Sequence, residues 1–407
     1  MVNCGIMINI FVYLLMFFSG SAFASEALNK LSNYMVYYGV WDETKIQQAF
    51  EFELVILAPG PTDANIDANL VSRLKKGKDG VAGTKDDIIV LAYISIGEDV
   101  NIERGPRQLK DGYRGPVYEG TNGKMVQGNN GFREWYLDEV EYAFTKDHNK
   151  IWGEDGLPKT TKGHDKIPDE NGKWHSFNVN VGNADWHALL QKKMTVYLDS
   201  YKCDGLFLDT VDTASPWNAY GYLQQAMVDL LVSIRGWFPK TTLVMNRGLF
   251  LFEKYGETLN HNIDGVMFES YLNDWDWYNK IGVPLKWFGA NEHTLYNDIK
   301  PLNQQKNGIT VLFLHYLDPT QPEAPLFYYS MSRTADLNAI HYIADPTLAQ
   351  INHPYYVIKQ KTMPEMPLRP MQGLRIPIDD WKNTPRTYMW YSLKNKVGPG
   401  FQRTPFL

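Results

Sequence analysis

At 407 residues, 44% hydrophobic and 21% charged, the chain can bury a large core; this excludes a disordered chain and fits one barrel-sized domain with an extension as well as two domains. The formal net charge of -6 argues against a nucleic-acid partner, whose phosphates need a basic surface, and suits a cationic ligand. Aromatic residues make up 14%, with 12 Trp and 25 Tyr, enough to expect rings at the surface where they can lie against the apolar faces of sugars.

Residues 1–24 carry no charged side chain and hold the apolar run 6–18 followed by Ala22-Phe23-Ala24, the pattern of a signal peptide cleaved before Ser25. No Lys or Arg precedes the run, which leaves an uncleaved anchor as the alternative. The expectation is a secreted chain, extracellular or periplasmic, with no stable membrane span after cleavage. Cys4 lies in this leader and Cys203 is then the lone cysteine, so the exported chain must rest on its packed core and not on disulfides.

The remainder contains eight short apolar runs, at 34–39, 54–57, 88–96, 204–209, 243–245, 263–269, 309–314 and 339–344. Helical spacing appears at 44–52, 66–74, 185–201 and 220–237, with Asp185 as a cap or first-turn acid. Runs that are apolar throughout, without polar alternation, indicate strands covered on both faces, hence a parallel sheet with helices outside. The predicted fold is an α/β (β/α)8 TIM barrel over 25–345, with its site at the strand C-termini, a long insertion after strand three at about 105–174 and a C-terminal extension at 346–407. Within the insertion only 132–144 looks helical. An open doubly wound sheet is the rival, weakened by the lack of a GxGxxG or GxxxxGK[ST] loop. The Asp- and Gly-rich loop 78–87 reads as a solvated turn rather than a calcium loop, since it lacks EF-hand spacing.

There is no HxH, HExxH or GxSxG pattern, so no metal or cofactor is expected. The residues gathered at the strand ends are acidic: Glu98, Asp99, Asp209, Asp212, Glu269 and Asp318. Cleaving a glycosidic bond needs one carboxyl as acid and a second as nucleophile or base, and an acidic cluster separates their pKa values. Asn246 and His315 are candidate partners for sugar hydroxyls, and Trp217, Tyr220, Tyr271, Trp275 and Trp277 are candidate stacking rings. The plainer alternatives are that Asp209 or Asp212 caps the following helix, and that Glu269 pairs with Arg247.

The runs 90–98 (VLAYISIGE), 204–212 (DGLFLDTVD) and 268–270 (FES) resemble those of glycoside hydrolase family 114, the endo-α-1,4-polygalactosaminidases, and 340–345 (IHYIAD) resembles that family's last strand. The resemblance spans about 34–345. It implies the same barrel and, as substrate, an α-1,4-linked galactosamine-rich polysaccharide. It further implies Asp209 as nucleophile and Glu269 as general acid/base; Glu98 and Asp212 match further acidic positions of the family pattern and read as acids that bind substrate or tune the pair. The insertion and the tail depart from the family pattern. A cationic amino-sugar polymer agrees with the acidic balance of the chain. A non-catalytic carbohydrate-binding barrel and a hydrolase of another glycan are the alternatives, and retaining and inverting chemistry stay equally open.

Overall fold

The computed structural model describes residues 28–59, 66–100, 117–119, 124–126, 133–142, 159–162, 168–171, 174, 176–276, 279–285, 288–317, 330, 333–334 and 336–352. The leader, most of the insertion, nearly all of the extension, Asp318 and Trp277 lie outside these residues. Eight strands, β1 (Met35–Tyr37), β2 (Leu54–Leu57), β3 (Ile89–Ser95), β4 (Gly205–Asp209), β5 (Thr242–Asn246), β6 (Gly265–Glu269), β7 (Thr310–Tyr316) and β8 (Ala339–Ala344), form one sheet in chain order. Helices α1 (Glu43–Ala49), α2 (Ala68–Lys75), α3 (Ala184–Thr195), α4 (Gln224–Trp237), α5 (Phe252–Asn262) and α6 (Phe288–Thr294) fall between them. An eight-stranded parallel sheet with intervening helices is the TIM-barrel-like α/β fold that the apolar runs predict. The chain divides into two compact units, one of Leu91–Asp264 and one of Ser25–Val90 with Gly265–Leu407.

In the first unit β4 pairs in parallel with β3 on one side and β5 on the other, placing Leu206 beside Ala92 and Leu243. Gly205 starts β4 where a Cβ would sit 2.2 Å from the Thr242 carbonyl oxygen, so the Asp-Gly entry to the strand is a steric requirement. Below β5, the Arg235 guanidinium holds Asp264 at 2.7 Å, and the same carboxyl accepts the Leu243 N–H at 2.8 Å. Burial pushes the Asp264 carboxyl up, and the Arg235 charge opposes it. Asn183, not Asp185, caps α3, accepting the N–H groups of Asp185 and Trp186 at 2.9 and 3.1 Å; Asp185 occupies the first turn. Beyond Thr195 the helix widens, with the Tyr201 N–H reaching back five residues to Val196, which carries it through the predicted end at 201.

Within the predicted helix at 132–144, the described residues 133–142 are not helical. Trp135, Tyr136 and Leu137 are all buried, which no single helix face permits; backbone groups of Trp135 and Leu137 bond across to Asn180, Asn178 and Asp169, with Tyr136 lying opposite Val179 in an antiparallel bridge. Val140–Tyr142 then forms a strand antiparallel to Thr160–Lys162. Aromatic and β-branched residues at alternate positions favour that outcome over a helix lacking caps. Nearer β3, Glu98–Asp99, Ser176–Asn178 and Glu170–Asn171 make a three-stranded antiparallel sheet, so described parts of the insertion are built directly onto the exit of that strand.

In the second unit β1 pairs with β2, and β7 lies between β6 and β8. Asp42 and Asp67 cap α1 and α2 by accepting N–H groups three residues on, each at 2.8 Å. In the loop 78–87 the carboxylates of Asp79, Asp86 and Asp87 accept N–H groups of the loop itself. Among the described residues no group of three or more His, Cys, Asp or Glu is placed to hold a metal ion, and no helix is long and apolar enough to cross a membrane.

Candidate active site

β4 ends on Asp209, whose Oδ1 accepts the Nδ2–H of Asn246, the last residue of β5, at 2.8 Å. Asn246 is buried and Asp209 half-buried, so a rigid amide fixes one face of a carboxyl that still reaches solvent. Past Thr210 the chain makes a short 3-10 turn, Val211–Ala214. This turn presents Asp212 to the exit of β5, where it accepts the Gly248 N–H at 3.0 Å and pairs with Arg247 Nε at 2.6 Å. Neither acid caps the helix that follows, since the turn and α4 both begin without a side-chain cap.

Glu98 follows β3 and is only 7% exposed. Its carboxyl accepts the Ser176 hydroxyl and, at 3.1 Å, the Asn171 amide. Burial pushes this carboxyl up, the Ser176 and Asn171 hydrogen bonds pull it down, and the negative charge of Asp212 raises it again. The Asp212 charge is the smallest of these influences on Glu98, and Asp212 itself is paired with Arg247. Asp99 is equally buried but is occupied by the Tyr136 hydroxyl at 2.7 Å and by Lys193 at 3.7 Å, which marks it as a structural acid tying the insertion to α3.

In the second unit β6 ends on Glu269, half-buried like Asp209, and Tyr316 at the end of β7 donates its hydroxyl to Glu269 Oε1 at 2.7 Å. Asn273 Nδ2 donates to the Tyr316 carbonyl at 2.9 Å, fixing the backbone that carries the phenol. Beyond Glu269, Asn291 donates to the Tyr271 carbonyl at 2.9 Å, and the Tyr271 hydroxyl donates to Glu292 at 3.0 Å. Arg333 grips both oxygens of Glu292 at 2.9 Å, so the chain leaving β6 is pinned by a buried polar network.

The remaining expected contacts divide by exposure. Trp217 is 79% exposed, with its ring held edge-to-face on Phe250 at 5.9 Å. Tyr220 is buried, and its hydroxyl donates to Asp169, another link between the insertion and the turn after β4. Two expected ligand contacts are corrected. Tyr271 is fully buried among Phe268, Phe288 and Phe313. His315 is fully buried too, stacked on His341 with Nε2 3.0 Å from His341 Nδ1. Successive strand residues point to opposite faces, so β7 sends Tyr316 toward Glu269 and His315 the other way. Sequence reasoning missed Tyr316, Ser176 and Asn171; all three are neutral, and the acids they serve were the visible signal.

No protein-family model matches this chain, and no curated protein matches it. Among solved structures, the glycoside hydrolase domain of PelA from Pseudomonas aeruginosa is similar at 16% identity, over 81% of this chain and 98% of that one, with a TM-score of 0.47. Aspergillus fumigatus Ega3 in complex with galactosamine is similar at 11% identity, over 77% and 91%, with a TM-score of 0.41. TtGalA, an α-galactosidase from Thermus thermophilus, is similar at 10% identity, over 79% and 63%, with a TM-score of 0.40. What the chain shares with each of these proteins is a likeness of fold.

Proposed function

We propose that this chain is a secreted glycoside hydrolase that cuts internal bonds of an α-1,4-linked, galactosamine-rich polysaccharide, with Asp209 as nucleophile and Glu269 as general acid/base. One observation carries the reading: two buried strands each end on a half-buried carboxyl, and each carboxyl is oriented by a neutral donor from the adjacent strand, Asn246 for Asp209 and Tyr316 for Glu269. The sequence runs that resemble family 114 include both acids. In the proposed reaction an Asp209 oxygen bonds to the anomeric carbon while Glu269 gives its proton to the departing sugar oxygen. Water, losing a proton to Glu269, then displaces Asp209 and restores both groups.

The amino-sugar preference rests on the acids Glu98 and Asp212, to which an ammonium group can donate, and on Trp217 as a ring against which a sugar face stacks. The test is incubation with deacetylated α-1,4-galactosamine oligomers, reading new reducing ends, product sizes and the first-formed anomer. Internal cleavage releasing the α anomer first supports the proposal. Oligomers that bind and stay intact would make the chain a carbohydrate-binding barrel, and cleavage confined to a neutral glycan would move the specificity.

A further inference from the structure

Six residues other than glycine have positive φ among the described residues, and three of them follow directly on the last residue of a strand. These are Thr210 after Asp209, Arg247 after Asn246 and Ser270 after Glu269, with φ of 63°, 56° and 60°. Thr210 is the most costly of the three, because a β-branched side chain crowds the left-handed conformation. Such a residue persists only where its surroundings over-determine it.

The surroundings of Thr210 do so. Its Oγ1 accepts the Gly97 N–H at 2.8 Å, is hydrogen-bonded to Ser95 Oγ at 2.8 Å, and lies 2.6 Å from the Asp209 carbonyl oxygen. Ser95 in turn donates to the Glu98 carbonyl at 2.5 Å, and Thr213 Oγ1 donates to the Gly97 carbonyl at 3.1 Å. Gly97 permits the approach: a Cβ there would lie 2.2 Å from the Thr210 carbonyl oxygen. One hydroxyl thus joins the backbone of the residue before Glu98 to the backbone of Asp209.

We propose that Thr210 is a positioning residue whose hydroxyl locks the exit of β4 to the exit of β3 and so sets the directions of the Asp209 and Glu98 carboxyls. The inference rests on the reading of Asp209 as the nucleophile and adds to it a residue that touches no substrate. Thr210→Gly removes the hydroxyl and relieves the backbone, whereas Thr210→Ser keeps the hydroxyl. The expected result is a loss of kcat of tenfold or more in T210G with KM within about threefold and Tm undiminished, and recovery of most of kcat in T210S. Equal kcat in T210G and T210S would overturn the proposal. Asp209→Asn, run alongside, separates the two claims: turnover in D209N removes the nucleophile assignment, whereas an inert D209N beside a fully active T210G removes only the role of Thr210. A crystal structure of T210G supplies a readout that does not depend on turnover. Asp209 displaced from Asn246, or Glu98 from Ser176, supports the lock; both carboxyls unmoved would refute it.

Discussion

The paired imidazoles on β7 and β8 should make this protein acid-sensitive in a window set by His315. Thr334 donates its hydroxyl proton to the Ser330 carbonyl at 3.0 Å, so it accepts from His341 Nε2, which leaves His341 Nδ1 to accept the Nε2–H of His315. Burial pushes His315 down from 6.5 to about 3, and it lowers His341 as well, aided by the charge of His315. Below pH 6.5 the unfolded chain takes up a proton at His315 that the folded chain refuses, so stability falls as pH drops and levels off only near pH 3. At about 1.4 kcal/mol per pH unit, His315 alone removes about 2 kcal/mol between pH 7 and pH 5. His315→Gln keeps an N–H near the Nε2 position and cannot titrate. Urea denaturation of both proteins at pH 7 and pH 5 should show the H315Q loss smaller by about 2 kcal/mol. Identical losses would refute the assignment of the acid sensitivity to His315.

Asp264→Ala leaves the Arg235 guanidinium buried without its carboxylate, and should cost about 3–5 kcal/mol by urea denaturation; a loss below about 1 kcal/mol would mean the pair is dispensable. Gly97→Ala drives a Cβ into the Thr210 carbonyl and should destabilise by about 1–3 kcal/mol on thermal unfolding. Trp217→Ala, at an exposed ring, should change stability by less than about 0.5 kcal/mol while weakening galactosamine-oligomer binding severalfold in calorimetry. Unaltered affinity would remove Trp217 from the ligand site.

Much of the frame could be read from hydropathy. Strands at 54–57 and 339–344 stand where the apolar runs place them, because a strand covered on both faces leaves an unbroken apolar signature. The same property hid the side-chain directions. Every residue of β7 is buried, so hydropathy does not distinguish Tyr316, which reaches Glu269, from His315, which faces His341. The acids at the strand ends were visible because a carboxylate is costly to bury, so one that closes an apolar run marks the place where the strand meets solvent. Their neutral partners were not: Asn171 and Ser176 meet Glu98 across 73 and 78 residues, a pairing that no local pattern encodes. The segment 132–144 misled because apolar residues crowded into a short window fit a helix and a bridged loop equally well until their backbone partners are known.

Catalysis by Asp209 and Glu269 stands or falls on the turnover of Asp209→Asn and Glu269→Gln. Both variants keep the size and hydrogen-bonding reach of the side chain, so both should fold with the parent melting profile. Each is expected to lose nearly all release of reducing ends from galactosamine oligomers while still binding them. Parent-level cleavage by either folded variant would contradict the two-carboxylate assignment.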